Sequence, residues 1–420
     1  MMKYTFSRAV LLLLLALSAV PAGAAEQLSL EQAVGMARKC NPTIAAGQLS
    51  AEAAKHAAQG AKALTNPEIS VAPSIVGDAG SDSAVLFIQP LEINGSRRVR
   101  GQIAAQEATA SCFDATAVQR DVVLQVARTY WDVARSQELV RLNQENVQYL
   151  ESLNKAARKQ LDAGAVPGTQ VLKTQVELAR ARQELDQAQL GLLQNRAGLN
   201  ALLNRPKDTD FTAVDPLVFV DAALDSSALL SSACARRPEV ASAQAQLAAA
   251  QGKIRSARLL TAPDISVQAR LESFDTSVDN NGGVAIGISL PVFDWGSAKG
   301  ERRRAESAAQ SQAKQLEAVR NQVALEVQQA VQQARISARI VKEYQGGIIT
   351  ESEQLAAKAQ EGYAKGATGY LDVLEAQRTL RSARTEYYSA LSDYQKAIAQ
   401  LEWAAGCSIV AAAEGNKAQK

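Results

Sequence analysis

Between Gly282 and Leu290, large apolar residues occupy every second position. Val284, Ile286, Ile288 and Leu290 alternate with Ala285, Gly287 and Ser289. A period of two, bulky on one side and small on the other, predicts a β-strand. Pro291 ends it, because proline has no N–H to give a neighbouring strand. Just upstream, Ile265, Val267, Ala269 and Leu271 alternate with Ser266, Gln268, Arg270 and Glu272, which predicts a partner strand. On pattern alone a surface hairpin is the simpler reading, and part of a membrane β-barrel is the alternative. Further up the chain the period changes. Val126, Tyr130 and Val133, then Leu139, Leu142, Val147, Leu150 and Leu153, recur mostly at three- and four-residue steps. No proline falls between Gly95 and Pro167. A helix over 97–161 would be about 95 Å long at 1.5 Å per residue. That is far more than a globular core needs, so it belongs in a bundle or coiled coil.

The chain also contains itself twice. Lys39-Cys40-Asn41-Pro42 matches Arg236-Arg237-Pro238 at an offset of 196, and Asn66-Pro67-Glu68-Ile69-Ser70 matches Ala262-Pro263-Asp264-Ile265-Ser266 at the same offset. Gln89-Pro90-Leu91 with Gly95 matches Leu290-Pro291-Val292 with Gly296 at 201, and Gly164, Val171, Leu172 and Gln175 match Gly366, Val373, Leu374 and Gln377 at 202. The matches keep their order, which marks one structural unit duplicated.

Each copy reads the same way. In the first (26–204), Ser29 caps a helix over Leu30–Cys40, and Pro42 opens an alanine-rich helix to about Leu64. Strands follow at Ile69–Val76 and Ser83–Gln89, joined by a Gly/Asp/Ser loop at Gly77–Asp82. Then come the long helix, a turn at Asp162–Gln170 and a return helix to about Leu203. Residues 205–227 read as a connector. The second copy (228–406) predicts helices at Leu229–Arg236 and Pro238–Leu260, the strand pair, and a helix over Ser297–Glu361. A turn at Gly362–Gly369 and a return helix to about Ala404 complete it. Residues 407–420 form a tail.

Composition narrows the class. The 420 residues are 47% hydrophobic but only 5% aromatic, and net charge is +2. Alanine-rich helices suit that balance, and there is no basic field for nucleic acid. Residues 1–25 read as an export signal: Lys3 and Arg8, the apolar run Val10–Val20, then Ala22-Gly23-Ala24. No cysteine follows the cleavage site, so no lipid anchor is expected. No later apolar stretch is long enough for a membrane-spanning helix, so any insertion uses strands. Cys40, Cys112, Cys234 and Cys407 form no CxxC, and His56 is the only histidine, so a metal site lacks its usual ligands. Cys112 lies well down the long helix and is expected unpaired, leaving at most one intrachain disulfide. No GxSxG, HExxH or phosphate loop is present. His56 is expected on a helix surface.

Four strands cannot close a membrane barrel, and open edges are not tolerated in hydrocarbon. If these strands cross a membrane, several chains pool them. At this point the chain resembles the TolC-type outer-membrane efflux channels. The carrying segments are QPLEINGSRR at 89–98, SLPVFDWG at 289–296 and YAKGATGYLDVLEAQ at 363–377, in the context of the duplication. The resemblance implies a mainly α fold with a small transmembrane β part, a duplicated strand–long-helix-hairpin unit, and a homotrimer. A 12-stranded β-barrel would continue into a 12-helix α-barrel reaching the periplasm. It implies a passive duct in the outer membrane, in contact with its lipid, docked to a periplasmic adaptor and an inner-membrane transporter of RND type. It implies no cofactor, no resident metal and no catalytic residue. QPLEINGSRR looks most like the heavy-metal cation efflux branch. By the same resemblance, Asp372 and Glu375 ring the periplasmic aperture. Gly164, Thr169 and Gln170 on one tip, and Tyr363, Gly366 and Thr368 on the other, shape the tip turns and meet the adaptor. Gln170 and Thr368 stand where some relatives carry an ionic lock, so closure here would rest on neutral hydrogen bonds. Gly164 and Gly366 are expected at positive φ. The competing reading is a periplasmic or surface coiled-coil scaffold or adhesin, which has no use for matched hairpins.

Overall fold

The computed structural model describes residues 26–72, 84–164, 166–222, 224–272 and 281–409. The export signal, the hairpin loop Gly77–Asp82, the outer end of the first predicted strand and the tail from 410 lie outside them. The described chain divides into two compact units: residues up to Gly35 with Thr129–Leu217, and Met36–Arg128 with Val218 onward.

In chain order, β1 (Glu26–Leu28) leads into α1 (Leu30–Cys40) and α2 (Pro42–Gly60), followed by β2 (Glu68–Ala72) and β3 (Ala84–Pro90). The long helix α3 (Ser96–Asp162) returns as α4 (Gly168–Leu202). After β4 (Phe211–Ala213) the plan repeats as α5 (Ser226–Arg236), α6 (Pro238–Leu259), β5 (Asp264–Glu272) and β6 (Asn281–Ser289). The second long helix is α7 (Ser297–Glu343) and α8 (Ile349–Ala364), joined by a π-turn at Tyr344–Ile348, and it returns as α9 (Tyr370–Ala405).

Local signals explain most boundaries. Ser29 and Gln32 form a reciprocal capping box, with Gln32 N–H donating to Ser29 Oγ and Ser29 N–H to Gln32 Oε1. Asn41 caps α2 by accepting from the N–H groups of Thr43 and Ile44. Several expectations need correction. The second alanine-rich helix stops at Gly60, not near Leu64, and residues beyond it turn. The first tip turn is shorter than predicted, because α4 already starts at Gly168. The predicted connector carries β4, and α5 starts at Ser226 because Asp225 caps it, accepting from Ser227 and Ala228 N–H. The second long helix is not one continuous helix, but is interrupted at Tyr344–Ile348 and runs on to Ala364.

In the first unit, β1 pairs parallel with β4, Glu26 opposite Phe211 and Leu28 opposite Ala213. Buried Tyr130 stands behind this pair. Its hydroxyl donates to the Leu28 carbonyl at 3.0 Å and accepts from Asp215 N–H at 3.2 Å. Burial pushes the Tyr130 hydroxyl's pKa up, so it remains a donor. Asp215 Oδ2 in turn accepts from Leu30 N–H, fixing the start of α1.

In the second unit, four antiparallel strands form one sheet in the order β2-β3-β5-β6. Phe87 faces Ile69 on one side and Ala269 on the other, and Val267 faces Ile286. Helix α6 packs along α7, and both α7 and α8 pack on α9. On the α7 side this core is small, with Val323, Val327, Ala330, Val331 and Ala334 buried, while α9 buries the larger Leu391, Tyr394, Ile398 and Leu401. Small side chains at three- and four-residue spacing let long helices lie close together.

Candidate functional site: the membrane sheet and the hairpin tips

The strand register sorts the sheet into two faces. Ile69, Val71, Val85, Phe87, Ile265, Val267, Ala269, Leu271, Val284, Ile286 and Ile288 share one side. The other carries Glu68, Ser70, Asp264, Ser266, Gln268, Arg270, Glu272, Gly287 and Ser289, with Leu86 and Ile88 as its large apolar members beside Ala72, Ala84, Pro90 and Ala285. On the apolar side Val284 is 79% exposed and Ile286 73%, more than a water-facing strand tolerates. One apolar and one polar face is the chemistry of a wall between lipid and water. Gly287 makes room on the polar side, since a Cβ there would lie 2.4 Å from Gln268 Nε2. Below β6, Phe293 and the 95% exposed Trp295 provide the large amphipathic rings that favour a membrane–water boundary.

The junctions from strand to long helix are held by polar contacts. Arg100 grips Glu92 through both guanidinium ends and donates to the Ala61 and Ala63 carbonyls, tying the end of α2 to the start of α3. The hydrogen bond from Arg100 holds the Glu92 carboxyl below its ordinary range. In the second copy, Asp294 accepts from Gly296 and Ala298 N–H instead.

At the second tip the structure gathers Tyr363, Gly366, Thr368, Asp372 and Glu375 on one short stretch. Helix α8 ends in a Schellman turn: Gly366 has φ +74°, its N–H donates to the Tyr363 carbonyl, and Ala367 N–H donates to that of Gly362. Thr368 folds back, its hydroxyl donating to the Ala359 carbonyl at 3.0 Å. Gly362 permits this approach, as a Cβ there would lie 2.8 Å from Thr368 Cγ2. Thr368 is thus engaged within its own turn. The rings of Tyr363 and Tyr370 meet edge-on at 6.3 Å. Asp372 accepts from Gly369 N–H at 2.9 Å, which helps cap α9. Glu375 is exposed one turn on, with Arg378 at 3.8 Å. Both carboxylates point to solvent from one helix face.

The first tip is built alike. Gly164 has φ +72° and its N–H donates to the Leu161 carbonyl at 2.8 Å. Pro167 precedes α4, whose first turn carries exposed Thr169 and half-buried Gln170.

Two features escaped the sequence reading. The first is the π-turn. The second is Arg237, which is 3% exposed. It donates to both oxygens of Glu239 at 2.9 Å and to Glu326 at 2.8 Å, and it lies over the Trp403 ring at 4.2 Å. Arg120 approaches Glu239 at 3.7 Å. Burial pushes the Glu239 carboxyl up, but the hydrogen bonds and charge of Arg237, its backbone hydrogen bond and the charge of Arg120 together outweigh it and hold the group below its ordinary value. The available signal was the match of Arg237 to Asn41, a helix cap replaced by a side chain that cannot accept. Cys40, Cys112, Cys234 and Cys407 are all free thiols. His56 is exposed on α2 beside Glu52 and Gln59. Among the described residues no helix is long and apolar enough to cross a membrane, and no cluster of metal-ligating residues occurs.

A sheet with one lipid-compatible face, in a chain that also forms helical hairpins of such length, is the make-up of an outer-membrane export channel. The model of the outer membrane efflux protein family matches residues 33–205 and again 229–407. The chain belongs to that family, and it is the outer-membrane component of an efflux system, with a large helical part in the periplasm. It is 28% identical to the cobalt-zinc-cadmium resistance protein CzcC of Cupriavidus metallidurans over 384 residues, 90% of each chain. It is 27% identical to the solvent efflux pump outer membrane protein SrpC of Pseudomonas putida, over 79% of this chain and 73% of that one. The fold matches the open-state crystal structure of the MtrE outer membrane channel of Neisseria gonorrhoeae with a TM-score of 0.77. That match has 22% identity and covers 90% of this chain and 89% of MtrE.

Proposed function

We propose that three copies of this chain assemble into a passive export duct, each giving four strands to a 12-stranded barrel and two helical hairpins to the tunnel beneath it. The observation that carries this is the sheet. Its outer strands β2 and β6 each have one unpaired edge among the described residues, and one face is apolar apart from Gln89 at its end. An open edge in hydrocarbon leaves each backbone group unsatisfied, so closure by further copies is the stable solution. The duct performs no chemistry itself and works with a periplasmic adaptor and an RND-type inner-membrane pump. The two repeats, 26–204 and 228–406, supply equivalent parts joined by 205–227. Gly164, Thr169, Gln170, Tyr363, Gly366 and Thr368 form the adaptor-facing turns. Asp372 and Glu375, repeated by threefold symmetry, place six carboxylates around the aperture and favour cations.

The cargo is heavy-metal cations. The similarity to CzcC along 90% of both chains supports that choice over solvents, the cargo named for SrpC. Deleting the gene and measuring survival in zinc, cobalt and cadmium tests it. Lost tolerance to at least one metal is expected, and unchanged tolerance to all rejects the cargo. Trimer mobility on gels before and after heating tests the assembly. In planar bilayers Asp372→Asn with Glu375→Gln is expected to weaken cation preference several-fold, and an unaltered preference removes both from the aperture.

A further inference from the structure

Within the second unit, the end of α1, the stretch of α3 around Val123 and the end of α9 enclose a cleft of about 280 Å³. Its walls are pinned in place. Gly406, at φ +70°, ends α9, and its N–H donates to the Glu402 carbonyl at 3.0 Å. Glu402 then locks the turn that follows, its Oε1 accepting from Ser408 Oγ at 3.0 Å and from Ile409 N–H at 2.7 Å. Trp403 is held from two sides: its Nε1 donates to Asp121 at 2.8 Å, and Arg237 lies over its ring. A cleft with fixed walls needs no ordering before it binds.

The lining has two parts. One is apolar, built from Val123, Leu124, Ala127 and Ala399 with the Trp403 ring. The other is charged: two arginines, Arg38 and Arg120, against the single carboxylate of Glu402. Glu402 is spent on the turn, so neither arginine finds an anion in the cleft. The exposed Arg38 side chain has no hydrogen bond or ion pair among the described residues. Arg120 donates through Nη2 to the Trp403 carbonyl, while its Nη1 is buried with no hydrogen-bond partner. The nearest carboxylate, Glu239 at 3.7 Å, is already gripped through both oxygens by Arg237. Burial, with the Arg237 charge added, pulls Arg120 below the ordinary guanidinium value despite the help of Glu239. A buried donor without an acceptor is rare and calls for a partner. The carbonyls at the end of α9, which would repel an anion, are covered: Arg120 takes that of Trp403 and Arg237 that of Ala404.

We propose that this cleft is a binding site for a small organic anion, its acid group held by Arg38 and Arg120 and its flat apolar body laid against Val123, Leu124 and Trp403. Guanidinium groups suit a carboxylate because their planar forks match its two oxygens. The volume takes one ring with its acid group and excludes a multi-ring compound or a peptide. The site stands apart from the tip residues and selects the opposite charge to a metal cation. It depends neither on the duct nor on its cargo. Cys407, half-buried in the same wall, is a natural reporter of occupancy.

The test uses the full-length protein in phosphatidylcholine nanodiscs, with Cys40, Cys112 and Cys234 replaced by serine so that only Cys407 reacts. The probe is para-fluorobenzoate, and para-fluorobenzamide is its uncharged counterpart. Broadening of the fluorine resonance reports binding, and protection of Cys407 from a methanethiosulfonate reagent places it. Benzoate is expected to slow Cys407 modification about threefold or more, while benzamide leaves it unchanged. Arg38→Gln removes no contact within the described protein, and it should weaken benzoate binding about fivefold or more. Ala399→Phe fills the cleft and should abolish both readouts. If benzoate and benzamide broaden and protect alike, or if Arg38→Gln and Ala399→Phe both bind benzoate as the parent does, the site is overturned. Broadening without protection of Cys407 places the benzoate elsewhere and overturns it equally.

Discussion

The two hairpins of this chain began as the same object and solve the same problem differently. Both long helices start just after a glycine at positive φ, Gly95 and Gly296, and both pass through a tip glycine at positive φ, Gly164 and Gly366. Both carry the same arginine–glutamate pair across the hairpin, Arg182–Glu151 and Arg384–Glu353. Yet the first is an uninterrupted helix of 67 residues, while the second contains a π-turn. Their roots differ too. Ahead of α2, Asn41 caps the helix. Ahead of α6, Arg237 makes no cap but gathers Glu239, Glu326 and Trp403. The lesson is that duplication preserved the points where backbone geometry is obligatory, and let side-chain duties diverge elsewhere.

That contrast is sharpened first at Arg237. Arg237→Ala leaves Glu239 and Glu326 without their main partner and should cost about 3–5 kcal/mol in thermal unfolding followed by circular dichroism. The same network sets an acid limit. Because Glu239 is held below its ordinary value near 4.5, its contribution is complete above that pH and is lost as pH falls through the depressed value. The melting temperature should fall below about pH 4.5, and Arg237→Ala should flatten that fall. A parent-like acid profile in Arg237→Ala would show the network is idle. Next in size is Tyr130→Phe, which removes the hydroxyl serving Leu28 and Asp215 and should cost about 1–3 kcal/mol. Its counterpart at the same repeat position is Val331, which has no hydroxyl to lose, so the first copy alone bears this cost. Asn41→Ala should cost about 1 kcal/mol, the worth of one cap. Equal losses for Asn41→Ala and Arg237→Ala would erase the difference drawn between the two roots. The smallest effects belong to Arg182→Gln and Arg384→Gln, each within about 1 kcal/mol and indistinguishable from the other. A clear inequality between them would mean the shared bridge has acquired different work in the two copies.

Much of this architecture was legible beforehand because its signals are local. The alternation over Val284–Leu290 defined a two-sided strand, and the register confirms which residues share its apolar side. The proline-free run from Gly95 defined the long helix to within a residue at each end. The tip glycines were legible because only glycine adopts that backbone turn freely. The roles assigned to Asp372 and Glu375 came from resemblance, and nothing in their local sequence distinguishes an aperture from a solvated helix face. Arg237 was opaque because an arginine before a proline has no intrinsic preference for burial. Its partners lie up to 167 residues away, at Trp403 and the Ala404 carbonyl.

The amino-acid sequence by itself determined the strands, the helices, the duplication and even the extra residue of the second copy, since the offset steps from 201 to 202. It could not say where that residue would be absorbed, because any turn between Gly296 and Gly366 was open to it. Packing decided that. The surplus residue is taken up in the π-turn at Tyr344–Ile348, none of whose residues is buried. The pairing of β1 with β4 was settled the same way: three-residue strands carry no period of their own, and they exist only because the chain brings 26–28 and 211–213 together behind Tyr130.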